Sequence, residues 1–311
     1  MDERGIIDYI RSLAAGSEDA SVEAGPGDDA ACVRLGSERL VLSTDMVIEG
    51  THFTADTPPE AVGTKAVGRA LSDLAAMAAV PTAALLSVSF PPGRSDSYQR
   101  ALCGSIYREC RRRDAPVVGG DTGSGTEVLV VALNVVGTPG PDGLVYRNGA
   151  VPGDAVCVTG ALGGSLSGRH LRPQDRIRHA LELAGTHDIH AMIDISDGLA
   201  TDLLHVAEES GVGVVLNAGA IPVHGEARAL ARREGESNKG AIKHALEDGE
   251  DYELLFCLDY DKAKKAAFSG IRETEISIIG CISEGTERKI IWPDQSETEL
   301  RDTGWCHLRN Q

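Results

Sequence analysis

Aromatic residues make up only 4% of this 311-residue chain, so its core has to be packed from small and aliphatic side chains. No uninterrupted apolar stretch is long enough to span a bilayer. The opening MDERGIIDYI lacks a basic segment followed by an apolar one, so it does not read as a secretory signal. Basic residues are in deficit: 30 Lys and Arg stand against 47 Asp and Glu, a formal net charge of -17. That balance argues against nucleic acid or an anionic membrane surface as partner. Close cysteine pairs are missing too. Cys32, Cys103, Cys110, Cys157, Cys257, Cys281 and Cys306 are scattered, mostly in apolar runs, which fits free thiols in a reducing, cytoplasmic compartment rather than zinc knuckles or redox dithiols. Neither GxxxxGKS/T nor GxGxxG occurs, which excludes a P-loop or dinucleotide-binding fold by motif. No Ser/His/Asp or Cys/His signature offers a protein nucleophile.

What is present reads as a two-domain protein of mixed α and β structure. The hydrophobic fraction of 42% and the charged fraction of 25% are ordinary for globular chains. Ile6, Ile7, Ile10 and Leu13 have the spacing of an amphipathic helix. Strands are expected at 31–35, 39–44, 83–90, 116–118 and 128–136, with helices at 60–79 and 96–113. The first helix should stop before Pro81. Turn residues in PGPDG and VPGD put a boundary near 140–153, giving domains 1–148 and 149–311. The second half continues with strands at 155–159, 191–195, 212–216, 252–258, 276–281 and 289–292, and with helices at 177–184 and 198–210. Both halves are α+β.

The chemistry lies in the carboxylates. GDD at 27–29, STD at 43–45, LSD at 71–73, GGD at 119–121 and DISDG at 194–198 each put an aspartate in or beside a turn. An aspartate next to glycine is also an ordinary turn former. STD, GGD and DISDG are expected to follow apolar strands directly, and strand ends can deliver carboxylates to one place. Clustered carboxylates repel one another, and hard cations such as magnesium relieve that cost. The glycine runs GPGDD, GGDTGSG and GALGGSLSG are expected to present backbone N–H groups to phosphates. Arg147, in a turn, either clamps a phosphate or is a solvated loop cation. Lys65, in an apolar helix, either serves a site or snorkels to solvent. His52 either meets a substrate or caps its loop. This inventory points to phosphoryl transfer, which needs alignment and charge neutralisation more than covalent help.

GDDAACV, LSTDMVIEGTHF, KAVGRALSDLAAMAAVP, VVGGDTGSG, YRNGAVPGD, VTGALGGS, RHLRP, MIDISDGLATDLLHV and GEDYELLF occur in that order. By these motifs, over residues 20–282, the chain resembles the thiamine-monophosphate kinases of the aminoimidazole ribonucleotide synthetase-related superfamily. The resemblance implies a PurM-like α+β fold. Its amino-terminal domains would pair in a homodimer and close a β-barrel across it, and its carboxy-terminal domain would be a mixed sheet with helices. It also implies ATP as co-substrate, several Mg2+ ions, and thiamine monophosphate as acceptor. Metal contacts would come from Asp28, Asp29, Ser43, Thr44, Asp45, Asp73, Asp121 and Asp197. Gly120, Asp121, Arg147 and Ser196 would bind ATP, and His52 and Trp305 the acceptor. The chain departs from the family pattern in three ways. The segment between GALGGS and RHLRP is short. Gly164 stands where aspartate is frequent. Asp175 and Asp248 replace a usual proline and glycine respectively. A related kinase or synthetase with another acceptor, and a nucleotide-binding scaffold without turnover, are the alternative functions.

Overall fold

The computed structural model describes residues 3–14 and 20–304. The first half is built on a six-stranded sheet in the order β1-β2-β3-β6-β4-β5. Its strands are β1 (Val22–Ala24), β2 (Ala31–Leu35), β3 (Glu38–Ile48), β4 (Ala79–Phe90), β5 (Val117–Ser124) and β6 (Val130–Pro139). Helix α1 (Glu3–Ala14) precedes them, and α2 (Pro59–Ala76) and α3 (Asp96–Arg112) are inserted between strands. Pro59 opens α2 at a position where a missing N–H costs nothing. Ser95 caps α3 by accepting from the Tyr98 N–H.

The second half carries a seven-stranded sheet in the order β13-β12-β9-β11-β7-β10-β8. Here β7 is Asp154–Thr159, β8 Ala191–Asp194, β9 Gly213–Asn217, β10 Leu254–Asp259, β11 Ile276–Ser283, β12 Arg288–Ile291 and β13 Glu297–Glu299. All its pairings are antiparallel except β9 with β12. The helices are α4 (Ile177–Thr186), α5 (Leu199–Ser210), α6 (Gly225–Arg233), α7 (Asn238–Glu247) and α8 (Tyr260–Ser269). Strands β7 and β8 are buried along their whole length, which is why they read as continuous apolar runs. One hydrophobic cluster joins the halves, with Leu74, Met77 and Leu133 packed with Leu183, Met192 and Phe256.

Several expectations need correction. Among the described residues no barrel forms: β1 and β5 end an open sheet, because β1 is only three residues long and β5 is an exposed, glycine-rich edge. Helix α2 does stop before Pro81, but at Ala76 rather than 79, and Pro81 lies inside β4. It is tolerated because β5 pairs with β4 only from Ala84 onward and the β6 register shifts between Pro81 and Ala83. The stretch GGDTGS is strand, not turn, held by parallel pairing of β5 with β4. Asp45 and Asp121 likewise sit within strands, not after them.

Candidate active site

Helix α2 is the spine of the site. Lys65, Arg69, Ser72 and Asp73 recur on it at helical spacing. Asp73 accepts from the Ser43 hydroxyl of β3, and Ser72 Oγ donates to Asp194 Oδ2 at 2.5 Å, at the end of β8. Arg69 grips Asp45 with two hydrogen bonds of 2.7 and 2.9 Å. From the loop before β2, Asp29 accepts from Arg147 Nη2 at 2.7 Å, and Asp28 accepts from the Arg147 backbone N–H. Strand alternation and α2 thus bring Asp28, Asp29, Ser43, Asp45 and Asp73 toward the DISDG loop.

The electrostatics of this group are unfavourable as it stands. Burial and the neighbouring Asp29 push Asp28 up to about 6. Burial pushes Asp29 up to about 6 despite Arg147. Burial also raises Asp194 to about 6 against the Ser72 hydrogen bond. Burial, then the charges of Asp45 and Asp194, lift Asp73 well above the usual carboxylate range. Asp29 Oδ2 and Arg147 Nε are buried and lack any hydrogen-bond partner. An orphaned carboxylate oxygen among hard oxygen donors fits a divalent cation such as Mg2+.

Other expected residues take different places. Thr44 is exposed on the face of β3 opposite Ser43 and Asp45, so its side chain turns from the cluster. Gly120 and Asp121 stand apart: β6 and β4 separate β5 from β3, roughly 14–15 Å at ordinary strand spacing. Gly120, with φ +152°, is glycine because a Cβ would run into the Leu86 carbonyl of β4. Trp305 lies outside the described residues.

His52, Ser196 and Asp197 meet in a cleft of ≈ 520 Å³, with Thr51, Arg69, Leu166, Asp248, Glu250 and Tyr252. His52 Nδ1 accepts from the Ile48 N–H at 2.9 Å. A second, more open cleft of ≈ 760 Å³ is lined by residues 23–28, Tyr146, Arg147, Asn148 and Glu209. The glycine runs are less available than expected. The Gly163 and Gly164 N–H groups are taken by Asp251 and Asp248, and those of Ser196, Asp197 and Gly198 by Asp202. The GPGDD loop lines the more open cleft, beside Arg147.

Residues 27–138 match the family model for the AIR synthase related protein N-terminal domain, and residues 154–293 that for the C-terminal domain. The thiamine-monophosphate kinase of Aquifex aeolicus is 34% identical, over 99% of this chain and 98% of its own length. The chain belongs to the thiamine-monophosphate kinase family. The Rhodopirellula baltica thiamine-monophosphate kinase is 33% identical over 84% of this chain and 83% of its own. The solved structure of AaThiL complexed with AMPPCP and TMP superposes with a TM-score of 0.83 at 30% identity, covering 99% of this chain and 97% of that one.

In this kinase-family chain the sequence reading passed over Asp194, Arg69, Asp202 and Glu250. Asp194 and Asp202 lie in MIDISDGLATDLLHV, among whose acids the resemblance assigns only Asp197 to metal. Asp197, Asp202 and His205 also hold their ligand atoms within 4.8 Å of one another. Glu250 was hidden in GEDYELLF. Its carboxylate oxygens each lie 2.6 Å from Lys65 Nζ, so Lys65 is a fully buried ion-pair partner and does not snorkel. A lysine amid α2's small apolar residues was the available signal, since a buried lysine requires a carboxylate.

Proposed function

We propose that this chain transfers the γ-phosphoryl group of ATP to thiamine monophosphate, giving thiamine diphosphate and ADP. The observation that carries it is the partly buried, under-neutralised carboxylate set beside a cleft between the two sheets, in a chain of this family. Magnesium ions bound there would draw negative charge off the phosphates and let two anions approach. Asp28, Asp29, Ser43, Asp45, Asp73 and Asp197 are proposed to hold them, joined by Asp194. Thr44 is proposed to contribute through its backbone, because its side chain faces away. Arg147 and Ser196 are assigned to ATP, supported by the orphaned Arg147 Nε and by the cleft beside it. For Gly120 and Asp121 the support is the family motif alone. His52 is assigned to the acceptor, supported by its place in the cleft. For Trp305 the support is again the motif.

The protein's own part is alignment. The acceptor is a phosphate oxygen already ionised at neutral pH, so transfer needs no general base and no covalent enzyme intermediate. Arg69 keeps Asp45 fixed by two contacts, and Ser43 and Ser72 hold Asp73 and Asp194 by one hydrogen bond each. We further propose that the chain divides into domains at 148/149, supported by the separate sheets and the two family models. Pairing of two chains is supported by the apolar Leu42, Met46 and Leu85, exposed on the open face of the first sheet. No described helix is long and apolar enough to cross a membrane. The six free cysteines among the described residues support a reducing, cytoplasmic setting.

The test is incubation with ATP, magnesium and thiamine monophosphate, reading thiamine diphosphate and ADP in equal amounts. ADP without thiamine diphosphate would move the assignment to another acceptor. Neither product from folded protein would leave a nucleotide-binding scaffold.

A further inference from the structure

Three carboxylates line the cleft that holds His52: Asp197, Asp248 and Glu250. They differ in what neutralises them. Glu250 has Lys65 at 2.6 Å and Arg69 at 3.5 Å. Asp197 belongs to the group proposed for metal. Asp248 has neither a lysine nor an arginine among its ion pairs. Its Oδ2 accepts from the Gly164 N–H at 2.7 Å, and its Oδ1 lies 2.9 Å from His244 Nδ1. The same imidazole reaches Glu234 through Nε2 at 3.1 Å. Burial works against protonation of His244, but the hydrogen bonds and charges of Asp248 and Glu234 outweigh it and raise its pKa. Even a charged His244 is then shared between two carboxylates, and the trio keeps a net negative charge.

The carboxylate is also held in place. Gly164 has φ +73°, and a Cβ there would collide with the backbone of Glu226 and Ala227. No side chain from that position can enter, so the charge at this rim comes from Asp248. Two of the departures from the family pattern, Gly164 and Asp248, are therefore in contact, and the Gly164 N–H donates to Asp248.

We infer that Asp248 is a specificity-determining residue, placing in the acceptor cleft a carboxylate that only a shared imidazole offsets, to favour a cationic ring system such as a thiazolium. This rests on the function proposed above. A fixed carboxylate favours a cation and disfavours an uncharged ring of the same shape, because the neutral ring must still displace water from it. Asp248→Asn keeps an acceptor for the Gly164 N–H and removes the charge.

The experiment measures kcat and KM of wild type and Asp248→Asn with thiamine monophosphate. Its neutral deaza analogue, in which a thiophene replaces the thiazolium, is the second acceptor. The expected result is a rise in KM for thiamine monophosphate of about tenfold in the variant, with KM for the analogue and for ATP changed less than about twofold. A purely structural role would alter both acceptors together, and an unchanged ratio of the two KM values overturns the inference. Thermal midpoints of both proteins separate loss of fold from loss of charge. If the wild type forms no product from thiamine monophosphate, the functional proposal fails. If it does and the variant is indistinguishable, only this inference fails.

Discussion

Two sets of buried acids in this molecule are treated in opposite ways. In GEDYE the acids have dedicated basic partners. Glu250 meets Lys65, Asp251 meets Arg169 at 2.7 Å, and Glu253 takes two hydrogen bonds from Arg176 at 2.5 and 2.8 Å. In the cluster of Asp28, Asp29, Asp73 and Asp194, among the described residues, a guanidinium reaches only Asp29, that of Arg147, while Asp28 accepts from the Arg147 backbone N–H. Satisfied pairs of the first kind fix loops to one another. Unsatisfied acids of the second kind store a free-energy deficit that a bound cation can remove. The difference between structure and site is thus legible in the neutralisation of each carboxylate, not in the number of carboxylates.

The sharpest way to break the comparison is Asp73→Asn. It keeps an acceptor for Ser43 and removes one buried charge. Turnover is expected to fall by about 10²–10³-fold, the scale seen when a fixed electrostatic contact to transferring groups is lost. The thermal midpoint in EDTA should stay level or rise, because a repelling charge has gone. A falling midpoint in EDTA would place Asp73 with the structural acids. The reverse is expected of Arg176→Met. Glu253 would be left buried and unpaired, at a cost of about 3–5 kcal/mol, read by urea unfolding. The magnesium dependence of whatever activity remains should not move.

Lys65→Met tests the boundary between the two sets, since Lys65 is buried like the structural cations while its partner lines the cleft. A stability loss of about 1–3 kcal/mol is expected, together with a raised KM for the acceptor and a smaller change in kcat. An unchanged KM would make the pair purely structural. The smallest effect is in pH. Asp28, Asp29 and Asp194 titrate near 6 in the folded chain rather than at the ordinary 3.8. Their folded values lie above the unfolded ones, so their protonation favours the fold most below about 4. That contribution is lost as pH rises through 6. Thermal midpoints in EDTA should therefore decline between pH 4 and pH 6, and magnesium should flatten the decline. A midpoint in EDTA that rises across this window would contradict the assignment.

Much of this was readable in advance because periodicity reports burial. The apolar runs of β7 and β8, and the helical spacing in α3 and α5, produced elements close to those observed. The spacing of Ile6, Ile7, Ile10 and Leu13 did form a helix, but all four stay exposed, since periodicity reports a face and not what covers it. Glycine misled where its use was close packing. GGDTGSG looked like a phosphate loop, yet Gly120 is there so that β5 can lie tightly against the Leu86 backbone of β4. The acid pairs were not legible because their partners lie far away in the chain. Lys65 and Glu250 are separated by 185 positions, and nothing local in either segment names the other.

Helix α2 fixes a length as well as a set of contacts. Lys65 anchors Glu250 of the cleft, while Ser72 and Asp73, seven and eight positions farther along, hold the carboxylate cluster. At the rise of an α-helix those two stations are about 12 Å apart, and a helix is too stiff to be stretched or shortened by a ligand. The helix therefore acts as a gauge: the anchor of Glu250 at one end and the anchors of Asp73 and Asp194 at the other cannot drift apart or together, so cleft and cluster keep their register whatever else moves.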